Sequence, residues 1–428
     1  MNFPVNGEVM GSRFKIASMT ARTILYTGKG GVGKTSVAAA SARAIARRGL
    51  RTVVLSTDPA HSLSDSLEVE LGGDPTVIAP NLWGQEVQAE TEMERNWQAV
   101  QDWLGSLLSD RGIDQIVAEE MTVPPGLDEL FSLLQIKRHR DSGKFDVIVV
   151  DCAPTGETLR LLSFPDVARW WLEKVFPWEK RLVSAARPLA RTFLDLKLPS
   201  NDVYADVQRL VLNLIAMNEI LRDRERSSIR LVMNPEKIVV REAQRTFTYL
   251  NLYGYLTDAV IVNRVFPKAV SDGYFGAWRD VQQEQIELVE QAFAPVPVLE
   301  APFFEQEVVG AEMLDRLAES VFGESQPEDM LYRDLSQELV MSDGIASLRL
   351  KVPFTEKAEI ELKKVGLELV VRVAEHKRNI ILPSALASYR PRGAKLDAGT
   401  LTVTFERPDA GLETEAERAV SATGRESS

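Results

Sequence analysis

Between residues 23 and 47 the chain passes from a short β-branched run, Thr23–Thr27 (TILYT), through Gly28-Lys29-Gly30-Gly31-Val32-Gly33-Lys34-Thr35 into a stretch of small residues, Ser36 to Arg47. No other segment restricts the possible folds as tightly. The glycines let successive backbone N–H groups turn inward, and a helix starting at the loop's end adds its own unpaired N–H groups, so the segment suits an anion. Strand, Gly-x-x-x-x-Gly-Lys-Thr and helix in that order satisfy the phosphate-loop pattern in its required context. Lys34 is expected to neutralise β- and γ-phosphates and Thr35 to offer its hydroxyl to Mg²⁺. Gly28, Lys29, Gly30, Gly31, Val32, Gly33 and Ser36 complete the expected nucleotide cradle.

The surrounding sequence alternates short apolar runs with helical stretches. Candidate strands are Thr23–Thr27, Thr52–Ser56, Glu86–Gln88, Phe145–Val150, Ile229–Met233, Ala259–Asn263 and Val296–Leu299. Most are near-continuous apolar runs, as expected of strands buried on both faces of a parallel sheet. The intervening helices provide the crossovers that parallel strands require. Residues 20–324 therefore read as an α/β phosphate-loop domain with a mostly parallel sheet. Two inter-strand stretches, about 90–140 and 164–225, are too long for simple crossovers. They carry Trp97, Trp103, Trp170, Trp171, Phe176 and Trp178, and in the second Val207, Leu210, Leu214, Met217 and Leu221 keep helical spacing. Packing onto each other and the sheet accounts for most of these side chains; the sharper reading is a surplus forming an exposed apolar groove.

Past Glu324 the pattern changes. Residues 325–340 read as a polar linker followed by a short helical stretch around Leu331–Val340. Alternation with period two then appears in Leu348, Leu350, Val352, in Leu367, Leu369, Val371, Val373, and in Leu401, Val403, Phe405, with turn-like segments at Glu375–Asn379 and Asp397–Gly399. Residues 341–407 are thus expected to form a small all-β sandwich. The polar residues 408–428 are expected to be disordered. Residues 1–19 read as a disordered extension, or as a stretch preceding a true start at Met19.

Two acids stand where an α/β fold places its chemistry, just beyond strand C-termini. Asp58 follows Thr52–Ser56 in Asp58-Pro59-Ala60-His61-Ser62, and Asp151 ends the run Phe145–Val150 in Asp151-Cys152-Ala153-Pro154-Thr155-Gly156-Glu157-Thr158. Asp151 fits a Mg²⁺ anchor acting through water, and Asp58 can hold an attacking water and accept its proton. Read blandly, either is a helix N-cap.

Composition closes other routes. The net charge is −12, which suits neither generic nucleic-acid binding nor an anionic membrane surface. One cysteine, Cys152, and three histidines (His61, His139, His376) form no local metal-ligand spacing. The longest stretch free of charge, Thr246–Thr257, is 12 residues long, short of the about 20 a spanning helix needs. A soluble, cytoplasmic chain is expected, with peripheral membrane association left open.

Together GKGGVGKT (28–35), DPAHS (58–62) and DCAPTGETLRLLSFP (151–165) resemble the arsenical pump-driving ATPases and the guided-entry targeting ATPases for tail-anchored membrane proteins. The resemblance covers roughly residues 20–322. It implies that Asp58 positions the hydrolytic water, that Asp151 supports Mg²⁺, and that Glu236, Asn263 and the segment around Pro302 and Phe303 contact adenosine. In loops of this deviant kind the extra lysine, here Lys29, reaches the partner subunit's nucleotide, so Asp58, Lys29 and Lys34 form the implied catalytic set of a homodimer. Residues 341–407 resemble an α-crystallin (small heat-shock protein) domain through Leu348-Arg349-Leu350-Lys351-Val352-Pro353 and Ala394-x4-Gly399-Thr400-Leu401.

Departures from the family pattern narrow the function. Arsenite needs several thiolates in one site, whereas two subunits of this chain bring two thiols. The region 270–277 (VSDGYFGA) lacks the Cys-x-x-Cys pair that targeting members share around zinc, so no zinc is expected. The resemblance therefore implies an ATP- and Mg²⁺-dependent homodimeric switch. It would bind hydrophobic client helices, with a membrane receptor as a further candidate partner and no nucleic acid. Its rivals are the motor subunit of an anion pump and a holdase whose client site lies in the sandwich.

Overall fold

The computed structural model describes residues 21–58, 62–88, 127–153, 201–269, 273–333, 337–342, 345–374, 376–383, 386 and 388–407. Most of the two long insertions, and both chain ends, lie outside the described residues, and with them the expected apolar groove and disordered termini.

An eight-stranded sheet forms the centre. Its strands are β1 (Arg22–Thr27), β2 (Thr52–Ser56), β3 (Thr76–Ala79), β4 (Leu82–Glu86), β5 (Val147–Asp151), β6 (Ser227–Met233), β7 (Thr257–Val265) and β8 (Val298–Pro302). They stand in the order β3-β4-β2-β5-β1-β6-β7-β8, parallel throughout except that β3 pairs antiparallel with β4. β1, β2, β5 and β6 are buried along their whole length, as their continuous apolar runs require. The runs expected at Phe145–Val150, Ala259–Asn263 and Val296–Leu299 become strands with ends shifted by a few residues. The run at Glu86–Gln88 is corrected, since the strand there is Leu82–Glu86 and lies one turn after β3. β3 escaped notice because it is a partly exposed edge strand of four residues, whose apolar run Val77–Ala79 is shorter than those of the buried strands.

Helices α1 (Lys34–Arg47), α2 (Ser62–Leu67), α3 (Leu127–Ser142), α4 (Asn201–Leu221), α5 (Lys237–Tyr253), α6 (Gly273–Phe293) and α7 (Gly310–Phe322) accompany the sheet. The step β1-α1-β2 moves toward one edge of the sheet, whereas β5-α4-β6, β6-α5-β7 and β7-α6-β8 move toward the other. Right-handed crossovers then place α1 on one face and α4, α5 and α6 on the opposite face. The packing agrees, with α1 against α2 and α7, α3 against α4, and α5 against α6. The chain reverses direction beside β1, so the loop after β1 opens at the switch point where open α/β sheets bind ligands.

The C-terminal part is a β-sandwich. A four-stranded sheet, β14 (Arg390–Asp397), β15 (Thr400–Glu406), β10 (Ile345–Lys351) and β9 (Gln337–Ser342), faces a three-stranded one, β11 (Ile360–Val365), β12 (Glu368–Val373) and β13 (His376–Ile381). Alternate residues of β10, β12 and β15, such as Leu350, Val371 and Val403, fill one core. Two expectations are corrected here. Of the helical stretch expected around Leu331–Val340, the described residues are not helical: from Gln337 the chain forms β9, because pairing with β10 satisfies its backbone better than an isolated turn. The described part of the segment Glu375–Asn379, residues 376–379, is strand β13, paired with β12, and not a turn.

The segment joining the two parts is anchored. Asp258, fully buried, accepts hydrogen bonds from Arg22 Nη2 (3.2 Å) and Arg230 Nε (3.2 Å). The same guanidiniums donate to the backbone carbonyls of Glu328 (3.1 Å) and Asp329 (3.0 Å), and the Leu331 N–H donates back to Asp258. Arg48 pairs with the Glu328 carboxylate at 2.7 Å. Charges buried in this way persist only when fully hydrogen-bonded, so the linker supplies part of what keeps the two arginines tolerable inside.

Candidate functional site

β1 delivers Gly28 to the centre of the sheet's C-terminal edge. A Cβ on Gly28 would run into the Val232 carbonyl of β6, and one on Gly33 into the Asn263 amide, with Gly33 also at φ +94°. The loop is therefore both tightly bent and closely approached, which only glycine allows. Gly33 caps α1 without a side-chain hydrogen bond, so the first N–H groups of the helix face the loop. Lys34 is buried and its ammonium reaches back to the Lys29 carbonyl at 3.3 Å.

The strands converge their acids on the same point. Asp151 ends β5 in register with Tyr26 of β1 and Ser56 of β2. Thr35 Oγ1 donates to Asp151 Oδ2 at 2.7 Å and lies 3.1 Å from Ser62 Oγ. Ser56 Oγ reaches the same carboxylate oxygen at 3.5 Å and accepts the Asp58 N–H at 3.2 Å. One serine thus ties the two acid-bearing loops together. Burial pushes the Asp151 carboxyl up to about 6; the Thr35 hydrogen bond and Lys34 pull it down, and Asp58 pushes it up. Its Oδ1 is buried without a hydrogen-bond partner among the described residues. A desolvated carboxylate with an unused oxygen, beside a threonine hydroxyl at a phosphate loop, is the donor set a hard cation takes. The residues present therefore fit Mg²⁺. Cys152, next in sequence, is fully buried and its thiol is raised above the ordinary value, chiefly by burial and further by Asp151.

A cavity of about 390 Å³ opens nearby, lined by Asn234, Pro235, Glu236, Arg264, Phe266 and Phe303 among others. Glu236 sits at the N-cap of α5 and Phe303 directly follows β8. The Phe266 ring lies 5.6 Å from that of Phe303 and 5.8 Å from that of Phe275. So two of the expected adenosine contacts, Glu236 and Phe303, share one wall system. Pro302 ends β8 beside Phe303. Asn263 is not among the residues lining this cavity: its amide donates to the Val32 carbonyl (2.9 Å) and its Oδ1 accepts from the Arg264 N–H (2.9 Å). It braces the phosphate loop and also holds the irregular end of β7, where Arg264 adopts a positive φ of 62° just before Phe266. Lys29 leaves the phosphate loop and approaches Glu242 of α5 at 3.8 Å, both half-exposed.

Sequence reasoning missed Ser56, Arg264 and Phe266. Ser56 carries no signal beyond ending a strand, and the two others follow a strand whose neighbours become visible only in three dimensions. Ser62 lay within the quoted DPAHS motif without being assigned a part.

Comparison with known proteins agrees with this geometry. The profile of the anion-transporting ATPase family matches residues 21–323, and that of an HSP20-like domain found in ArsA matches residues 343–405. The chain is 38% identical over 391 residues to a Chlorobaculum tepidum protein bearing the name of an arsenical pump-driving ATPase, covering 90% of this chain and 96% of that one. It is 36% identical to an Aquifex aeolicus protein of similar name, over 89% of this chain and 99% of the other. It is also 31% identical to the ATPase GET3 of Chaetomium globosum, over 70% of this chain and 89% of that protein.

Proposed function

The chain belongs to the anion-transporting ATPase family and is an ATPase; on that premise we propose that hydrolysis operates a homodimeric switch that holds hydrophobic helices of client proteins for targeting or chaperoning. The observation that carries the choice of cargo is Cys152. Arsenite is bound by several thiolates, and the chain's lone cysteine is buried at the end of β5 with its thiol held neutral. The relationship to a GET3 protein and the fused HSP20-like domain support a protein client instead. On α6, the exposed Phe275 and Trp278 offer apolar surface for a subunit contact.

The proposed mechanism uses the residues described above. The phosphate chain lies on the N–H groups of the loop and of the start of α1, with the Lys34 ammonium neutralising its non-bridging oxygens. Thr35 and, through water, Asp151 would hold Mg²⁺, which when bound neutralises further phosphate charge. Asp58 orients a water in line with the γ-phosphorus and accepts its proton as the bond to the β-phosphate oxygen breaks. Glu236 and Phe303 receive the nucleoside. Lys29, held by Glu242 in the single chain, exchanges this partner for nucleotide across the dimer interface, so that closure depends on ATP.

The test is capture of a fluorescent Leu-rich helix of about 20 residues by the Asp58→Asn protein, with and without Mg·ATP, against a polar scrambled helix. Capture that is both ATP-dependent and helix-selective is expected. No capture in either state, with ATP demonstrably bound, would replace this reading with that of a pump motor.

A further inference from the structure

Helix α5 begins at the nucleotide site and ends against the sandwich, into whose core it sends Leu252. Its N-cap, Glu236, lines the 390 Å³ cavity, and Glu242 on its second turn pairs with Lys29. Sixteen residues beyond Glu236, about 24 Å along the axis at about 1.5 Å per residue, Leu252 is fully buried within the hydrophobic core of the sandwich. The helix closes at Gly254 in a left-handed conformation, with the Gly254 and Tyr255 N–H groups bonded to the Asn251 and Leu250 carbonyls. The Leu252 carbonyl accepts from the guanidinium of Arg378, which stands on β13 of the sandwich. Carbonyls at a helix C-terminus carry partial negative charge and lack intrahelical partners, so a buried cation from the other domain is a strong cap. Around it the Thr248 hydroxyl bonds the Pro353 carbonyl, and the His376 ring lies 3.6 Å from that of Tyr249.

A second connection leads from α1. Ser41, two turns beyond Lys34, is hydrogen-bonded to the Tyr26 hydroxyl at 2.7 Å, and that hydroxyl accepts from Arg230 at 3.0 Å. Arg230 in turn holds the Asp329 carbonyl of the segment leading into the sandwich. Both helices that start at the nucleotide site are thus bonded, directly or through one side-chain chain, to the sandwich or its leader.

We propose that the HSP20-like domain regulates the nucleotide site: by docking on the C-terminal half of α5, with Arg378 as an interdomain helix cap, it sets the position of Glu236 and Glu242 at the other end. The proposal rests on the reading of the cavity beside Glu236 as a nucleotide pocket. Coupling of this kind is reciprocal, so nucleotide binding must alter the docked interface as much as docking alters nucleotide affinity. A packed helix shifts as a unit, which makes α5 a suitable carrier between sites too far apart to touch.

Two measurements on the full chain test this. Hydrogen exchange is followed with and without a non-hydrolysable Mg·ATP analogue. Amides of residues 248–254 and 376–382 are expected to change protection together with those of the phosphate loop. In parallel, Arg378→Met, which keeps an apolar stem but loses the cap, is expected to move the half-saturating ATP concentration about fivefold or more. Protection confined to the phosphate loop, with unchanged half-saturation in the variant, overturns the proposal and leaves the nucleotide reading standing. No protection of the phosphate loop overturns both. Should Arg378→Met fail to fold, the exchange experiment on the native chain still decides.

Discussion

Thr35 donates its hydroxyl to Asp151 at 2.7 Å across the gap between α1 and β5, and the second oxygen of that carboxylate is buried with no hydrogen-bond partner among the described residues. The pair is organised for a third participant. Without one, the carboxylate is an energetic liability, because a buried charge lacks the stabilisation that water would supply.

This liability makes a signed prediction. The Asp151 carboxyl sits at about 6 against an ordinary 3.8, so without metal or nucleotide the folded chain holds this proton more tightly than the unfolded chain does. Its contribution to stability is most favourable below about pH 4 and is lost as pH rises through the window up to about 6. Asp151→Asn is expected to stabilise the empty protein at neutral pH, by on the order of 3 kcal/mol, while removing the Mg²⁺ dependence of ATP binding. Denaturation of both proteins across this pH range, free of metal and nucleotide, checks it; equal stability at neutral pH counts against the account.

Asp58→Asn preserves shape and removes the proton acceptor. ATP binding is expected to persist while turnover falls by about 10²-fold or more. Binding by fluorescence and phosphate release measured on the same preparation separate the two effects, and unchanged release would take Asp58 out of the mechanism.

Lys29→Ala is expected to leave the melting of the single chain intact and to impair ATP-dependent dimer closure and hydrolysis. Glu242→Gln loosens the resting partner of that lysine and should favour closure at lower ATP. Sedimentation with increasing ATP reads both, and a normal ATP-dependent dimer in Lys29→Ala would end the role given to this lysine.

Phe303→Ala removes one wall of the 390 Å³ cavity. Losing a base–aromatic contact is worth roughly 1–3 kcal/mol, so ATP affinity should fall about tenfold or more with little change in the maximal rate. A variant with native affinity would move the nucleoside elsewhere.

Asp258→Ala strands the guanidiniums of Arg22 and Arg230 without their carboxylate. Removing one partner of a buried ion pair costs about 3–5 kcal/mol, and here the linker carbonyls bonded to the same arginines should loosen with it. Chemical denaturation, with hydrogen exchange at residues 328–331, reports both effects; native stability would show that the network contributes little.

Much of this molecule is decided locally. The phosphate loop, the buried parallel strands and the alternating strands of the sandwich each depend on residues close in the chain, through glycine conformation, continuous burial and period-two patterning. That is why Lys34, Thr35, Asp58 and Asp151 could be named from sequence, and why an α/β domain followed by a β-sandwich was legible. What tertiary structure alone decided depends on partners distant in sequence. Residues 337–342 form a strand because β10 offers a ladder, and the polar segment 325–333 is held because Arg22, Arg230 and Asp258 lie buried beneath it. Asn263 turns to the phosphate loop because the Val32 carbonyl, 231 positions away, needs a donor. Most of all, α5 stands in sequence only as one of the helical stretches between the apolar runs. Only the folded chain gives its C-terminal carbonyl to Arg378 of the other domain, since a buried carbonyl and a buried guanidinium must each find a partner wherever the fold supplies one.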